Sequence, residues 1–329
     1  MRQLFSRVFD VAVGAACALL VIGSAGTVED AVPPTMAARS ILVPTLADVY
    51  AGSTMSAPEL RLVSDAPVDP KAPWLATVVA AGRHARLETT RGPVHVFTPA
   101  GYTAATAMTI VYVHGYHQDA DTVWAEHRLP EQFALSGINA LFVVPEAPIG
   151  KRDAIAWRSA SAVLGEVEQA LAEPLPRKVA VIGHSGAYRT IIQWLADRRV
   201  DSIVLLDAAY VDVRPYRAWV VRSKRHRFLN VSIDTVRWSD RLHRTLPSTK
   251  IIDGFPQEIT DELRAARILY IRSDIGHWPL VTEGVALPAM VRALHGVQVL
   301  EELPPLGLPP EPAEPAHVQS AQLDAEIAK

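Results

Sequence analysis

The stretch VAVIGHSGAYRTIIQWL, residues 179–195, decides how the rest of the chain is read. Its first part is a continuous apolar run, as a strand buried on both faces requires. Its last part carries apolar residues at helical spacing. Between them, Gly183-His184-Ser185-Gly186-Ala187 leaves no room for a loop, so the strand turns directly into the helix. A serine on such a turn is lifted above the sheet edge, and the residues two positions to either side must be small to avoid collision. Gly183 and Ala187 occupy those positions. The helix that follows aims its first N–H groups and the positive end of its dipole at the turn, where an oxyanion would be stabilised.

Working outward, short apolar runs alternate with longer helical patterns. Strands are expected at Val94–Thr98, Thr109–Val113, Ala140–Val144, Lys178–Ile182, Ser202–Leu206, Phe228–Ile233 and Ile268–Ile271. Helices are expected at Ala125–Leu135, Ala160–Leu171, Ala187–Asp197, Glu258–Ala266 and Pro288–Leu294. Arg86–Glu88 and Val94–Thr98, around Arg91-Gly92-Pro93, read as a hairpin leading into the parallel part. This alternation predicts an α/β fold with a mostly parallel central sheet and helices on both faces.

The pentapeptide 183–187 resembles the Gly-x-Ser-x-Gly elbow of the α/β-hydrolase superfamily, which includes esterases and lipases. Ala187 stands where that pattern has its last glycine. The likeness extends over the strand and helix order from about Gly82 to Val299 and not over the two ends. It implies an α/β-hydrolase-type fold and Ser185 as nucleophile. It also implies an oxyanion site made by the backbone N–H of Gly186 and that of Tyr116, which follows the strand end in IVYVHGY. A late histidine after the last strand is where the superfamily places its general base, and His277 in ILYIRSDIGHW fits. His295 is the alternative base, but Ala-Leu-His-Gly reads as a helix end, where histidine more often meets the terminal carbonyls.

Two aspartates compete for the orienting acid. Asp207 ends the run SIVLLD and Asp234 ends LNVSID, the more usual position in the superfamily. Both face the same sheet edge as Ser185, so spacing does not choose between them. The run LLDAAY resembles related exported sequences with Leu-Leu-Asp-Ala and a following aromatic, which ranks Asp207 first and Asp234 second. Asp274 lies too close to His277 on the same loop. Trp278 and Arg189 are expected near the substrate, Arg189 either meeting an anionic group or pairing with a carboxylate. Trp157 and Trp238 either line the same cleft or cover the sheet.

His114, His117, Asp119, Asp121 and His127 cluster closely enough to raise a metal site, but no H-x-H or H-E-x-x-H arrangement is present and a metal leaves the elbow serine unexplained. The expected metal set is none. No organic cofactor is expected either, because no phosphate-binding glycine loop follows the first strand. The basic run Arg222-Ser-Lys-Arg-His-Arg227 reads as a solvated face or as contact with an anionic surface partner. The inserts Val211–Arg227 and Thr235–Arg267 are short for a cap domain, which predicts a minimal cap and an open cleft.

The 329 residues carry 32 basic and 35 acidic side chains, a balance that argues against nucleic acid as a partner. A 49% hydrophobic content and mean hydropathy of +0.14 exclude a wholly disordered chain. The one cysteine, Cys17, excludes a disulfide framework. Residues 1–26 pair Arg2 and Arg7 with the apolar run Val11–Gly23 and read as a signal peptide or, as the alternative, an N-terminal anchor. Export (periplasmic or secreted) is therefore expected, with membrane anchoring through the N-terminus only under the alternative. Residues 27–75 are Pro/Ala-rich, 76–300 form the catalytic-type domain, and 301–329 read as a Pro/Glu-rich disordered tail. The expected activity is that of a serine hydrolase cleaving a small-molecule or cell-envelope ester or amide through an acyl-enzyme. A serine peptidase or amidase, and a non-catalytic binding protein on the same fold, are the alternatives.

Overall fold

The computed structural model describes residues 73–300 and 306–308. The signal or anchor, Cys17, most of the Pro/Ala-rich segment and most of the tail lie outside them. A nine-stranded sheet has the order β1-β2-β4-β3-β5-β6-β7-β9-β8. Its strands are β1 (Arg83–Leu87), β2 (Val94–Thr98), β3 (Met108–Val113), β4 (Ala140–Pro145), β5 (Val179–His184), β6 (Val200–Leu206), β7 (Arg227–Ser232), β8 (Lys250–Asp253) and β9 (Ile268–Arg272). β1 pairs antiparallel with β2, and β2 with β4; every other pairing is parallel. The mostly parallel α/β sheet expected from the sequence is the one observed.

The helices are α1 (Pro73–Ala81), α2 (Ala120–Glu126), α3 (Leu129–Ser136), α4 (Ala160–Leu171), α5 (Tyr188–Trp194), α6 (Arg214–Arg222), α7 (Val236–His243), α8 (Asp261–Ala265), α9 (Pro279–Thr282) and α10 (Ala286–Arg292). Among the described residues no helix is long and apolar enough to cross a membrane. Residues in a strand alternate between faces, so two cores form. Val111, Val113, Val179 and Val181 join Val163, Ile191, Trp194 and Trp219 on one face. Ile110, Tyr112, Ala180 and Ile182 join Phe133, Leu263, Leu287 and Val291 on the other. Phe133 stacks on Phe142 with centroids 4.1 Å apart. Trp157 belongs to the first core, 1% exposed, and lines no cleft.

Several boundaries depart from the sequence expectation for local reasons. The helix expected over Ala125–Leu135 is two helices, because Pro130 lacks an N–H and its ring clashes with the carbonyl four residues earlier. The chain turns at Arg128, whose φ is 50°. α8 is shorter than expected, since Thr260 accepts from the Leu263 N–H and so sets its start. The inserts 211–227 and 235–267 hold α6, α7, α8 and the edge strand β8. The start of α1 falls inside the segment expected to be Pro/Ala-rich and irregular, and Leu75 packs on Ala134 and Leu135. Within the expected tail, the Gly307 and Leu308 N–H groups donate to the carbonyls of Gly284 and Glu283.

The fold also buries imidazoles. Burial holds His184 down to about 3, helped by neighbouring His277 and His127, and His243 down to about 3. Burial and His114 hold His127 down to about 4. A group with a depressed folded pKa binds fewer protons folded than unfolded. The stability it contributes is complete above the unfolded histidine value of about 6.5 and is lost as pH falls toward the folded value. Thermal melts should therefore be flat from about pH 8 to 7 and fall progressively between about 6.5 and 4. His243→Phe keeps a ring against Tyr270, which His243 stacks on at 4.3 Å, and should flatten that slope. It should also cost about 1–3 kcal/mol at every pH, because the Asn230 amide loses one of its two acceptors and keeps only Ser239. A melting temperature independent of pH down to about 4.5 would refute the assignment.

Candidate active site

β5 runs to His184, a single 3-10 turn spans Ser185–Ala187, and α5 begins at once. Ser185 has φ = 50°, in the left-handed region that side chains other than glycine rarely adopt. The neighbours show why the flanks are small. A Cβ on Gly183 would stand 2.2 Å from the Ile191 side chain and 2.9 Å from Ala187 Cβ. A Cβ on Gly186 would stand 2.6 Å from the Tyr116 ring, and one on Gly115 would stand 2.9 Å from Ser185 Cβ. The loop 114–116 thus backs directly onto the turn 184–186. Among the described residues, neither the Gly186 N–H nor the Tyr116 N–H has a protein acceptor.

His114 fixes that loop. Its Nδ1 lies 2.8 Å from the Gly115 carbonyl, to which it donates, and its Nε2 accepts from the Ala147 N–H at 2.9 Å. A ring that donates on one side and accepts on the other is neutral. Asp119, Asp121 and His127 of the suspected metal cluster are engaged elsewhere. Asp119 caps α2 by accepting from the Thr122 N–H. Asp121 accepts from Arg86 and from His95 at 2.8 Å. His127 Nδ1 sits 3.4 Å from the Tyr112 hydroxyl.

Asp207 follows β6 with φ = 47°, a second strand-end residue in the left-handed region. It is fully buried. Its Oδ1 accepts from the N–H groups of Ile233 (3.0 Å) and Thr235 (2.9 Å) and from the Thr235 hydroxyl (2.7 Å). Its Oδ2 accepts from the Asp234 N–H at 3.2 Å and from His277 Nδ1 at 2.6 Å. Burial alone would raise this carboxyl, but the bonds from His277, Thr235 and Ile233 outweigh it and hold it down to about 2. Asp234 reaches His277 Nδ1 only at 3.9 Å and its side chain is 66% exposed. Among the described residues Asp207, Asp234 and His277 also form the one set of three metal-type donors with atoms within 4.8 Å of one another. Five donors already surround the Asp207 carboxylate, so a cation there would meet N–H and O–H dipoles of the wrong sign.

His277 is tied to the elbow as well as to Asp207. Its carbonyl accepts from His184 Nε2 at 3.1 Å, and the two rings lie 4.5 Å apart. An acceptor-only partner at Nε2 assigns the proton of His184 to that nitrogen. Trp278 is 46% exposed and lies against the rings of His184 and His277. Arg189 spends its guanidinium on the carbonyls of Gly150 (3.3 Å) and Asp153 (2.9 Å). His295 is not at this site; it stands at the opposite sheet edge beside Arg227 and Lys178.

Sequence reading missed Tyr210. Burial together with Asp207 and Asp234 pushes its hydroxyl up to about 12, so it stays a neutral phenol. Tyr210 packs between Tyr188 (5.7 Å) and Trp238 (5.5 Å), forming an aromatic wall beside the serine. The aromatic after LLDA was visible in the sequence, but only the fold brings it back over the elbow.

No family model matches this chain, and no curated protein does. Solved structures do. A feruloyl esterase module from Clostridium thermocellum is similar at 13% identity over 65% of this chain and 89% of its own, with a TM-score of 0.44. A dienelactone hydrolase from Anabaena variabilis is similar at 10% identity over 64% and 93%, with a TM-score of 0.39. A thermostable carboxylesterase cloned from a metagenomic library is similar at 15% identity over 68% and 94%, with a TM-score of 0.35.

Removing the side chain at 185 separates strain from chemistry. Ser185→Gly accepts the positive φ and Ser185→Ala does not, so the glycine variant should be more stable by about 1 kcal/mol. Equal chemical denaturation midpoints for the two variants would show that position 185 is unstrained.

Proposed function

We propose that the protein is a serine hydrolase that cleaves a carboxylic ester through an acyl-enzyme. The observation that carries this reading is the 2.6 Å contact between His277 Nδ1 and buried Asp207, on a loop bonded to the residue before Ser185. An acceptor at Nδ1 keeps the proton of a neutral imidazole there and leaves Nε2 free to act as base. On this reading Nε2 takes the Ser185 proton as Oγ attacks the ester carbonyl. The oxyanion of the tetrahedral intermediate accepts from the N–H groups of Gly186 and Tyr116. The imidazolium, stabilised by Asp207, returns its proton to the departing alkoxide, and the acyl group remains on Ser185. Water then repeats the sequence with the same base and releases the acid.

Asp207 stays ionised down to about pH 2 and so keeps its negative charge beside the imidazolium that forms during the reaction. Tyr210, packed between Tyr188 and Trp238, fits a role in walling the site. Trp278, Tyr188 and Trp238 offer flat apolar surface to the acyl or alcohol part, and Arg189 acts at one remove by fixing the loop 150–153.

The test combines labelling with turnover. A fluorophosphonate probe should label the wild-type protein and fail on Ser185→Ala. On p-nitrophenyl esters of graded chain length, Asp207→Asn should lose about 10²–10⁴-fold in kcat, while Asp234→Asn stays within about threefold, as expected for an exposed group off the main contact. Folded wild-type protein that neither labels nor turns over esters would favour the non-catalytic binder. Turnover of anilides but not esters would favour the amidase.

A further inference from the structure

The amino ends of the parallel strands, at the edge opposite Ser185, line an open pocket of about 420 Å³. Lys178 precedes β5, Arg227 opens β7, Arg267 precedes β9, and Lys224 and Arg225 come from the loop between α6 and β7. His295 completes the wall, and Asp201 is the one acid lining it. A six-residue strand spans roughly 20 Å, so this pocket shares no residue and no wall with the elbow.

Five permanent cations in one concavity require an explanation, since like charges repel. Part of it is local. Arg227 donates to the Ala265 carbonyl at the end of α8 (3.0 Å). Arg267 donates to the carbonyls of Val220 (3.2 Å), in the last turn of α6, and His226 (3.2 Å). Helix C-termini favour cations in this way. These bonds fix the two guanidiniums and leave most of their donors unspent. They give no reason for Lys178, Lys224 or Arg225 to gather at the same place. Among the described residues none of the five forms an ion pair with a carboxylate. Burial and Arg267 lower Arg227, and Arg227 is the largest cause lowering His295. The cluster therefore carries an uncompensated positive field.

We propose that this pocket binds a polyanion bearing at least two phosphate groups. The charge is too large for a single carboxylate to balance, and fixed guanidiniums match tetrahedral phosphate oxygens with paired N–H donors. A volume of about 420 Å³ lies within the range of small-ligand clefts and accommodates a diphosphate-sized group. The same chemistry is presented by a soluble oligophosphate and by the diphosphate headgroup of an acidic lipid. The site is independent of the hydrolase reading.

Calorimetric titration of the full-length protein with pyrophosphate and tripolyphosphate, at constant ionic strength and with sulfate as control, tests the first source. Co-sedimentation with phosphatidylcholine vesicles containing 20% cardiolipin, against vesicles of phosphatidylcholine alone, tests the second. Binding in either arm, weakened at least tenfold in Lys224→Glu/Arg225→Glu, supports the site and names its source. Both substitutions lie on an exposed loop, and fluorophosphonate labelling of Ser185, or its absence, should be the same in the variant as in the wild type. No binding beyond that of sulfate in the first arm together with none in the second, or binding that the double variant retains in full, overturns the proposal.

Discussion

The carboxylate of Asp207 organises the edge of the sheet on which everything else at the site is built. Taking an ionised carboxylate out of water costs several kcal/mol, and here that cost is offset by five donors from two separate segments, 233–235 and His277. Three of those donors are backbone N–H groups of residues 233–235, which form the bend between β7 and α7. The fifth is the imidazole of His277, which follows β9. One buried charge therefore holds the ends of three neighbouring strands in register with one another. His277 is also bonded back to His184 through its carbonyl, so a fourth strand, β5, is drawn into the same arrangement. Neither contact alone would position an imidazole on a surface loop; a ring held at Nδ1 and a peptide held at its oxygen leave little freedom.

The strain at Ser185 and at Asp207 belongs to the same design. Both residues directly follow a strand, and both adopt φ near 50°. A residue that continued the β conformation would keep the chain in the plane of the sheet. Turning into the left-handed region lifts the chain out of that plane, at a cost of order 1–3 kcal/mol per residue. The surroundings over-determine the turn at 185: Gly183, Gly186 and Gly115 allow backbone and ring contacts that any side chain at those positions would block. At 207 the hydrogen bonds to the carboxylate perform the same service.

Legibility in the sequence followed the range of the interaction. Strands β2 to β7 and β9 were readable because burial on both faces forces continuous apolar runs, and the elbow was readable because its steric rule acts within five residues. Which aspartate meets His277 was legible only through the LLDAAY resemblance that ranked Asp207 first, since Asp207 and Asp234 both end strands at the same edge. What separates them is which side chain turns inward and collects donors, and that depends on residues 26 to 28 positions away. Helices α6 and α7 are hard to read within their inserts because the polar run around Arg222–Arg227 and the scattered tryptophans hide a narrow apolar stripe. Strand β8, only four residues with alternating exposure, is an edge element whose pattern is indistinguishable from a loop. Tyr210 lay in plain view in LLDAAY, yet nothing local says that the chain after a left-handed Asp207 folds back over Ser185.

The polarity of a parallel sheet links its two edges. Each strand is followed by a helix that returns in the opposite sense, so the helices begin near the carboxyl ends of the strands and finish near their amino ends. N–H groups without helical partners collect at the first edge and carbonyl groups at the second. The first edge is thereby suited to developing negative charge, and it is there that Ser185, Gly186 and the start of α5 lie. The second edge is suited to cations, and there the carbonyls of Ala265 and Val220 hold Arg227 and Arg267. Once guanidiniums have been anchored by carbonyls that are neutral, their full charge remains to be balanced, and adding Lys178, Lys224 and Arg225 to the same wall deepens the imbalance. The same backbone dipoles that suit the upper edge to negative charge therefore leave cations gathered in a hollow below the sheet.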